Sequence, residues 1–218
     1  MRPPPDPPEL PEAARPQDGV FIGTALLFAA FTRPPRPWHF GIRSTPFWPT
    51  VGWTVLAFAT VLGVEIGLIA LLGIGDGDVD ELQGLSPVAA IAISLVVVLL
   101  APVAEEIFFR AFFYRALRTR MRVPLAATIT GCVFASVHFQ YYVEPALLLI
   151  IAAFGIAQCL LYERTGSLFA VIATHAGFNT FASLATAAVP ALAIGGLVIL
   201  GCVLVPRRVG AAPSPMPA

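Results

Sequence analysis

Charge is what this chain has least of. Only 12% of its 218 residues are Asp, Glu, Lys or Arg, about half the share of an ordinary soluble domain, and the two signs cancel to a net charge of zero. A soluble globular surface is therefore excluded, and there is no basic footprint for a nucleic-acid partner. Cysteine is scarce as well. Cys132, Cys159 and Cys202 stand singly in apolar runs with no CxxC spacing, which reads as packing and not as disulfides or metal ligands. The chain has no GxGxxG, no Walker loop and no HExxH, so neither nucleotide binding nor the helical zinc-protease motif has support. It has no repeat of solenoid period and no basic stretch leading into an apolar core with a small-residue cleavage site, as a signal peptide would.

What the chain does have is hydrophobicity. Apolar residues make up 57% of it, gathered into seven segments at 18–32, 48–73, 86–117, 124–140, 145–162, 168–187 and 189–206. Crossing a hydrocarbon core takes about 20 residues, so the fold class expected is all-α, a polytopic transmembrane helical bundle. Segment 18–32 is short for a crossing and also fits a re-entrant or interfacial piece. Residues 1–17 and 209–218 are Pro-rich and polar, as disordered tails are. Between them the expected organisation is residues 18–85 as N-terminal membrane segments with a basic amphipathic loop, 86–187 as a core, and 188–208 as a last transmembrane helix.

Arginines should collect on one side of a membrane, and here they do. Arg33, Arg36 and Arg43 precede the second segment, Arg115, Arg118, Arg120 and Arg122 follow the third, Arg164 follows the fifth, and Arg207 and Arg208 follow the last. The alternate loops carry Asp76, Asp78, Asp80 and Glu81, then Glu144, then no charge in the Ala187–Pro190 turn. Seven spans with a cytoplasmic C-terminus fit this alternation, in a chain integral to a membrane.

Against this background a few polar groups stand out. An ionised group within a bilayer is costly and marks a candidate site. Glu105 and Glu106 with Arg110 close the third segment's apolar run; His138 ends Phe134-Ala135-Ser136-Val137-His138; His175 and Asn179 lie four apart on one helix face. Glu106 and Arg110 are also four apart, with the acid N-terminal, the favourable order for an intrahelical ion pair, while Glu105 points about 100° away. Measured from a turn near Met121, Glu105 and His138 fall at similar depth. Pro102, three residues before the pair, should free a backbone carbonyl near Val98. Each group also admits a packing role; Glu65, in the second segment, is an intramembrane acid whose surroundings suggest no chemistry, and His39 is given none.

The residue types suit hydrolysis. A buried carboxylate with a neutral His beside it can take a proton from water, and an Asn amide with a His N–H on one face can stabilise an oxyanion. Two histidines and a carboxylate, here Glu105, His138 and His175, would equally suit a catalytic zinc, and the residues alone leave both routes open. A non-enzymatic peptide-binding or immunity protein and a proton-coupled transporter are the rival classes.

Glu105-Glu106-x-x-x-Arg110, Phe134-x-x-x-His138 and His175-x-x-x-Asn179, in this order on successive apolar segments, resemble the CPBP family of CAAX prenyl endoproteases and bacteriocin-processing proteins, also called Abi or Rce1-like intramembrane proteases. The resemblance covers about residues 86–185. It implies an intramembrane endopeptidase in which Glu105 activates water with His138, His175 and Asn179 stabilise the oxyanion, and Glu106 and Arg110 support them. It further implies a metal-independent glutamate mechanism in preference to zinc, and a membrane-associated peptide or protein as substrate. A prenyl group on that substrate is not implied, since bacterial members are associated with bacteriocin maturation and self-immunity.

Overall fold

The computed structural model describes residues 37–72, 85–138 and 145–207, together with residue 23. The rest of segment 18–32, both Pro-rich tails, the acidic residues 76–81 and Glu144 lie outside the described residues. Those described residues form six helices and short turns. In chain order these are α1 (Phe47–Leu72), α2 (Pro87–Arg118), α3 (Val123–Ser136), α4 (Pro145–Thr165), α5 (Leu168–Ala182) and α6 (Leu184–Leu204). Four of them, α1, α2, α4 and α6, are long and apolar enough to cross a membrane.

Burial along α1 follows one narrow stripe through Thr54, Phe58, Val61, Glu65 and Leu68, at the i, i+3, i+4 spacing of one helix face. Around it Val55, Leu56, Val64, Ile66, Ile69 and Leu71 are exposed, as residues facing lipid tails would be. Helix α2 starts on a Ser86 cap whose hydroxyl accepts from Ala89 N at 3.2 Å, with Pro87 in the first turn where its missing N–H costs nothing. Two stretches of α2, Leu95–Leu100 and Ile107–Tyr114, are wound as π-helix, with Pro102 between them. Widened turns of this kind recur at functional sites.

Helices α3 and α4 touch backbone to backbone. A Cβ on Gly131 would stand 2.7 Å from the Ala152 carbonyl oxygen, and one on Gly155 would stand 2.8 Å from Gly131 Cα. Small residues permit this approach, which brings Phe134 and the end of α3 against the site. The turn from α4 to α5 uses Gly166 at φ 58°, a left-handed conformation that favours glycine, and the Ser167 hydroxyl caps α5 by accepting from Ala170 N at 3.3 Å. Helix α5 is the most enclosed: Leu168, Ala170, Val171, Ile172, Thr174, His175 and Ala176 are all buried.

One end of the bundle is tied together by charged and polar contacts. Arg118 bonds Glu163 through Nη2 at 2.9 Å, and the Tyr114 hydroxyl donates to the same carboxylate at 2.8 Å. The Arg164 guanidinium lies 4.9 Å from the Trp53 ring centre, and Arg43 Nε donates to the Gly166 carbonyl at 2.8 Å. The start of α1, the end of α2, the end of α4 and the start of α5 therefore lie together.

The structure refines three expectations. Helix α3 stops at Ser136 and not at 140, because His138 N–H closes a tight turn on the Ala135 carbonyl at 3.0 Å. The break expected at Ala187–Pro190 is present as a kink at Ala187 (φ −143°, ψ 44°), three residues ahead of Pro190, and a second, unexpected turn lies just before it at Ser183, where the hydroxyl donates to the Asn179 carbonyl at 2.7 Å and backbone bonds close the turn. The carbonyl freed near Val98 by Pro102 is that of Val97, five residues back as the π winding sets it, and it finds a substitute donor in Asn179.

Candidate active site

The site is built where α2, α4 and α5 meet behind the end of α3. Glu106 and Arg110, one turn apart on α2, form an ion pair at 2.8 Å with both side chains at 0% exposure. A lone buried charge would be costly, and here a second layer of polar groups offsets it. Glu106 Oε1 also accepts from His175 Nδ1 at 2.7 Å and from Gln158 Nε2 at 3.3 Å. Gln158 is fixed in turn by donating to the Val171 carbonyl at 2.8 Å. The Arg110 guanidinium reaches the Gly155 carbonyl at 3.4 Å and lies 4.6 Å from the centre of the Phe134 ring, a cation–π contact away from water.

His175 is the junction of the cluster. Its Nδ1 is on Glu106, and its Nε2 faces Glu105 Oε2 at 3.8 Å, so the ring bridges the two consecutive glutamates. With Nδ1 donating to a carboxylate, the ring plane of His175 is set. Phe154 packs edge-on to the ring at 4.9 Å between centroids, and Phe134 at 6.1 Å. The Phe134 ring also packs, tilted, against His138 at 4.7 Å between centroids, so this one aromatic ring neighbours both imidazoles. His138 Nδ1 donates to the Phe134 carbonyl at 2.7 Å, which leaves Nε2 with its lone pair. Asn179, one turn beyond His175, donates from Nδ2 to the Val97 carbonyl at 2.8 Å.

The structure thus gathers Glu105, Glu106, Arg110 and His175 into one buried cluster, with His138 against Phe134 and Asn179 one turn along α5. Sequence reasoning did not single out Gln158 or Phe154. Gln158 had a signal available, because it is the one uncharged polar amide within the apolar run of α4; the rule that flags intramembrane polar residues applies to it equally. Glu65 sits on the inward stripe of α1, and its Oε2 has no hydrogen-bond partner among the described residues.

A zinc ion would need three converging ligands. Among the described residues no three His, Cys, Asp or Glu side chains are grouped to hold a metal. Glu105, His138 and His175 are therefore not grouped as a zinc set in this arrangement.

Comparison with known proteins bears on the same residues. Residues 87–181 match the family described as type II CAAX prenyl endopeptidase Rce1-like. A protein of Bacillus subtilis (strain 168), named "Putative membrane peptidase YdiL", is 27% identical over 135 residues, which cover 62% of this chain and 53% of that protein. The chain spans about half the length of this curated relative. No solved structure matches it. The matched span contains Glu105, Glu106, Arg110, His138, His175 and Asn179.

Proposed function

We propose that the protein is an intramembrane endopeptidase, hydrolysing a peptide bond of a membrane-associated peptide or protein, as the match of residues 87–181 to the Rce1-like CAAX prenyl endopeptidase family supports. The observation that carries this reading is the buried Glu105–His175–Glu106 arrangement, in which one imidazole is held rigidly by one glutamate and presented to the other. An orienter, a titratable ring and a second carboxylate in apolar surroundings are the parts of a general acid–base site.

In this reading Glu105 takes a proton from a water molecule, assisted by Nε2 of His138, whose Nδ1–H is committed to Phe134. The water oxygen adds to the amide carbonyl carbon and an oxyanion forms. His175 and Asn179 donate to it. Since Nδ1–H of His175 is spent on Glu106, its donation comes from Nε2, and the Glu106 carboxylate 2.7 Å away offsets the charge of a doubly protonated ring. Asn179 has one amide N–H on Val97 and a second to offer. The C–N bond then breaks, and the proton first taken from water passes to the leaving amine. No covalent enzyme intermediate is required.

We read residues 86–187 as the catalytic core and the seven apolar segments as lying in a bilayer, with the arginine-bearing ends on the cytoplasmic side. The clustering of Arg43, Arg118 and Arg164 at one end of the bundle supports a common side for them. The test is cleavage by purified protein in detergent, with substrates found by comparing membrane proteomes of cells carrying wild type or Glu105→Gln. Glu105→Gln is expected to lose at least about a hundredfold in kcat with unchanged thermal stability. Full activity in that variant would overturn the assignment.

A further inference from the structure

Asn179 is bound where a backbone donor is missing. The π-helical stretch Leu95–Leu100 is wound on bonds from an N–H to the carbonyl five residues back, and the last of them runs from Ala101 N–H to the Val96 carbonyl. Continuing the ladder would pair the Val97 carbonyl with the N–H of residue 102. That residue is Pro102, which has none. The carbonyl is instead met by Asn179 Nδ2 at 2.8 Å, from a residue 82 positions away in sequence. Pro102 is buried, and in such a place backbone groups must find partners within the protein.

We propose that Pro102 is a positioning residue for Asn179: by withholding an N–H from α2 it leaves the Val97 carbonyl as the dock that orients the Asn179 carboxamide. A carbonyl can only accept, so this dock admits Nδ2 and not Oδ1, and it fixes which end of the amide faces away. The same helix then sets both polar groups of α5, with Glu106 holding His175 and the proline-freed carbonyl holding Asn179. The role is twofold: satisfying α2 and aiming the second N–H of Asn179. Its catalytic meaning rests on the protease reading above; the dock itself does not.

Asn179 is the single asparagine of the chain, so a carboxamide 15N label reports on it alone. In wild-type protein in liposomes, with valine carbonyls 13C-labelled, dipolar dephasing between this nitrogen and one valine carbonyl is expected, and its absence would overturn the dock. Pro102→Ala restores the N–H. The dephasing should then be lost, and exchange of the carboxamide protons with D2O should quicken about tenfold. Unchanged dephasing and exchange would overturn the role of Pro102. Pro102→Gly restores the same N–H and serves where Pro102→Ala does not fold. On a peptide that the wild type cleaves, Pro102→Ala should lower kcat about tenfold or more with KM nearly unchanged, as loss of an aimed donor does; an unaltered kcat would overturn the aiming role. Protein that cleaves no peptide removes the protease reading, while the labelled amide still decides whether Pro102 makes the dock.

Discussion

Neutralising Arg110 and Glu106 one at a time should cost far more than neutralising both. Each single change strands a charge with no exposed surface, since the two side chains pair at 2.8 Å and are fully buried. Arg110→Met leaves a carboxylate with only His175 and Gln158 as donors, and Glu106→Gln leaves a guanidinium facing an amide and the Gly155 carbonyl. Breaking a buried pair in this way costs about 3–5 kcal/mol, so two independent changes would sum to about 6–10 kcal/mol. The double variant strands nothing. Its new amide oxygen can still accept from His175 Nδ1–H and from Gln158, and Met fills much of the arginine stem's volume, so it should sit within about 1–2 kcal/mol of wild type. Equilibrium unfolding in mixed dodecyl maltoside and SDS micelles, followed by circular dichroism, reads the three free energies directly. Either single variant within about 1 kcal/mol of wild type, or a double variant that loses the full sum, would refute the pairing as drawn.

Other sites give sharper local tests. Gly131→Ala places a methyl 2.7 Å from the Ala152 carbonyl oxygen and 2.6 Å from Ile156 Cγ1, and should cost about 1–3 kcal/mol in the same titration by prising α3 from α4. Gly166→Ala strains a φ of 58° and drives the new methyl into the Arg43 guanidinium. Adding Arg43→Ala should recover only the contact part, leaving about 1–2 kcal/mol of backbone strain, and hydrogen exchange of residues 37–46 should quicken in both variants. Treating the protein with 1,10-phenanthroline should leave cleavage intact; stoichiometric bound zinc whose removal abolishes cleavage would overturn the glutamate mechanism.

Much of the helix pattern was legible because apolar runs bounded by proline and arginine announce themselves. The expected 48–73, 86–117 and 145–162 lie within a few residues of α1, α2 and α4. What the apolar pattern did not give was fixed by local hydrogen bonds, the close after Ser136 and the additional turn at Ser183, which no periodicity encodes. The site was legible as an inventory and less so as a wiring diagram. Glu106 was expected to pair with Arg110 and support the site, and the oxygen that takes Arg110 also takes His175 and Gln158, neither of which spacing names. Sequence spacing fixes which residues share a helix face, but not which faces meet, and that depends on how closely helices approach at positions such as Gly131 and Gly155. His175 and Asn179 share a face as expected, yet they answer to different partners on α2, nine residues apart in sequence.

The tie between Arg43 and Gly166 bears on the order of assembly. It joins residues 123 positions apart, and Leu168 N–H adds a bond to the Gly41 carbonyl at 3.0 Å beside it. A ribosome adding about 5–20 residues per second needs about 6–25 seconds to deliver Gly166 after Arg43. Through that interval α1, lipid-compatible on nearly every side, has no α4 to rest on and waits in the bilayer as an independent helix. Its stripe is buried only after the α4–α5 turn arrives, so the first described long helix should dock late in synthesis, dependent on a glycine more than a hundred residues downstream.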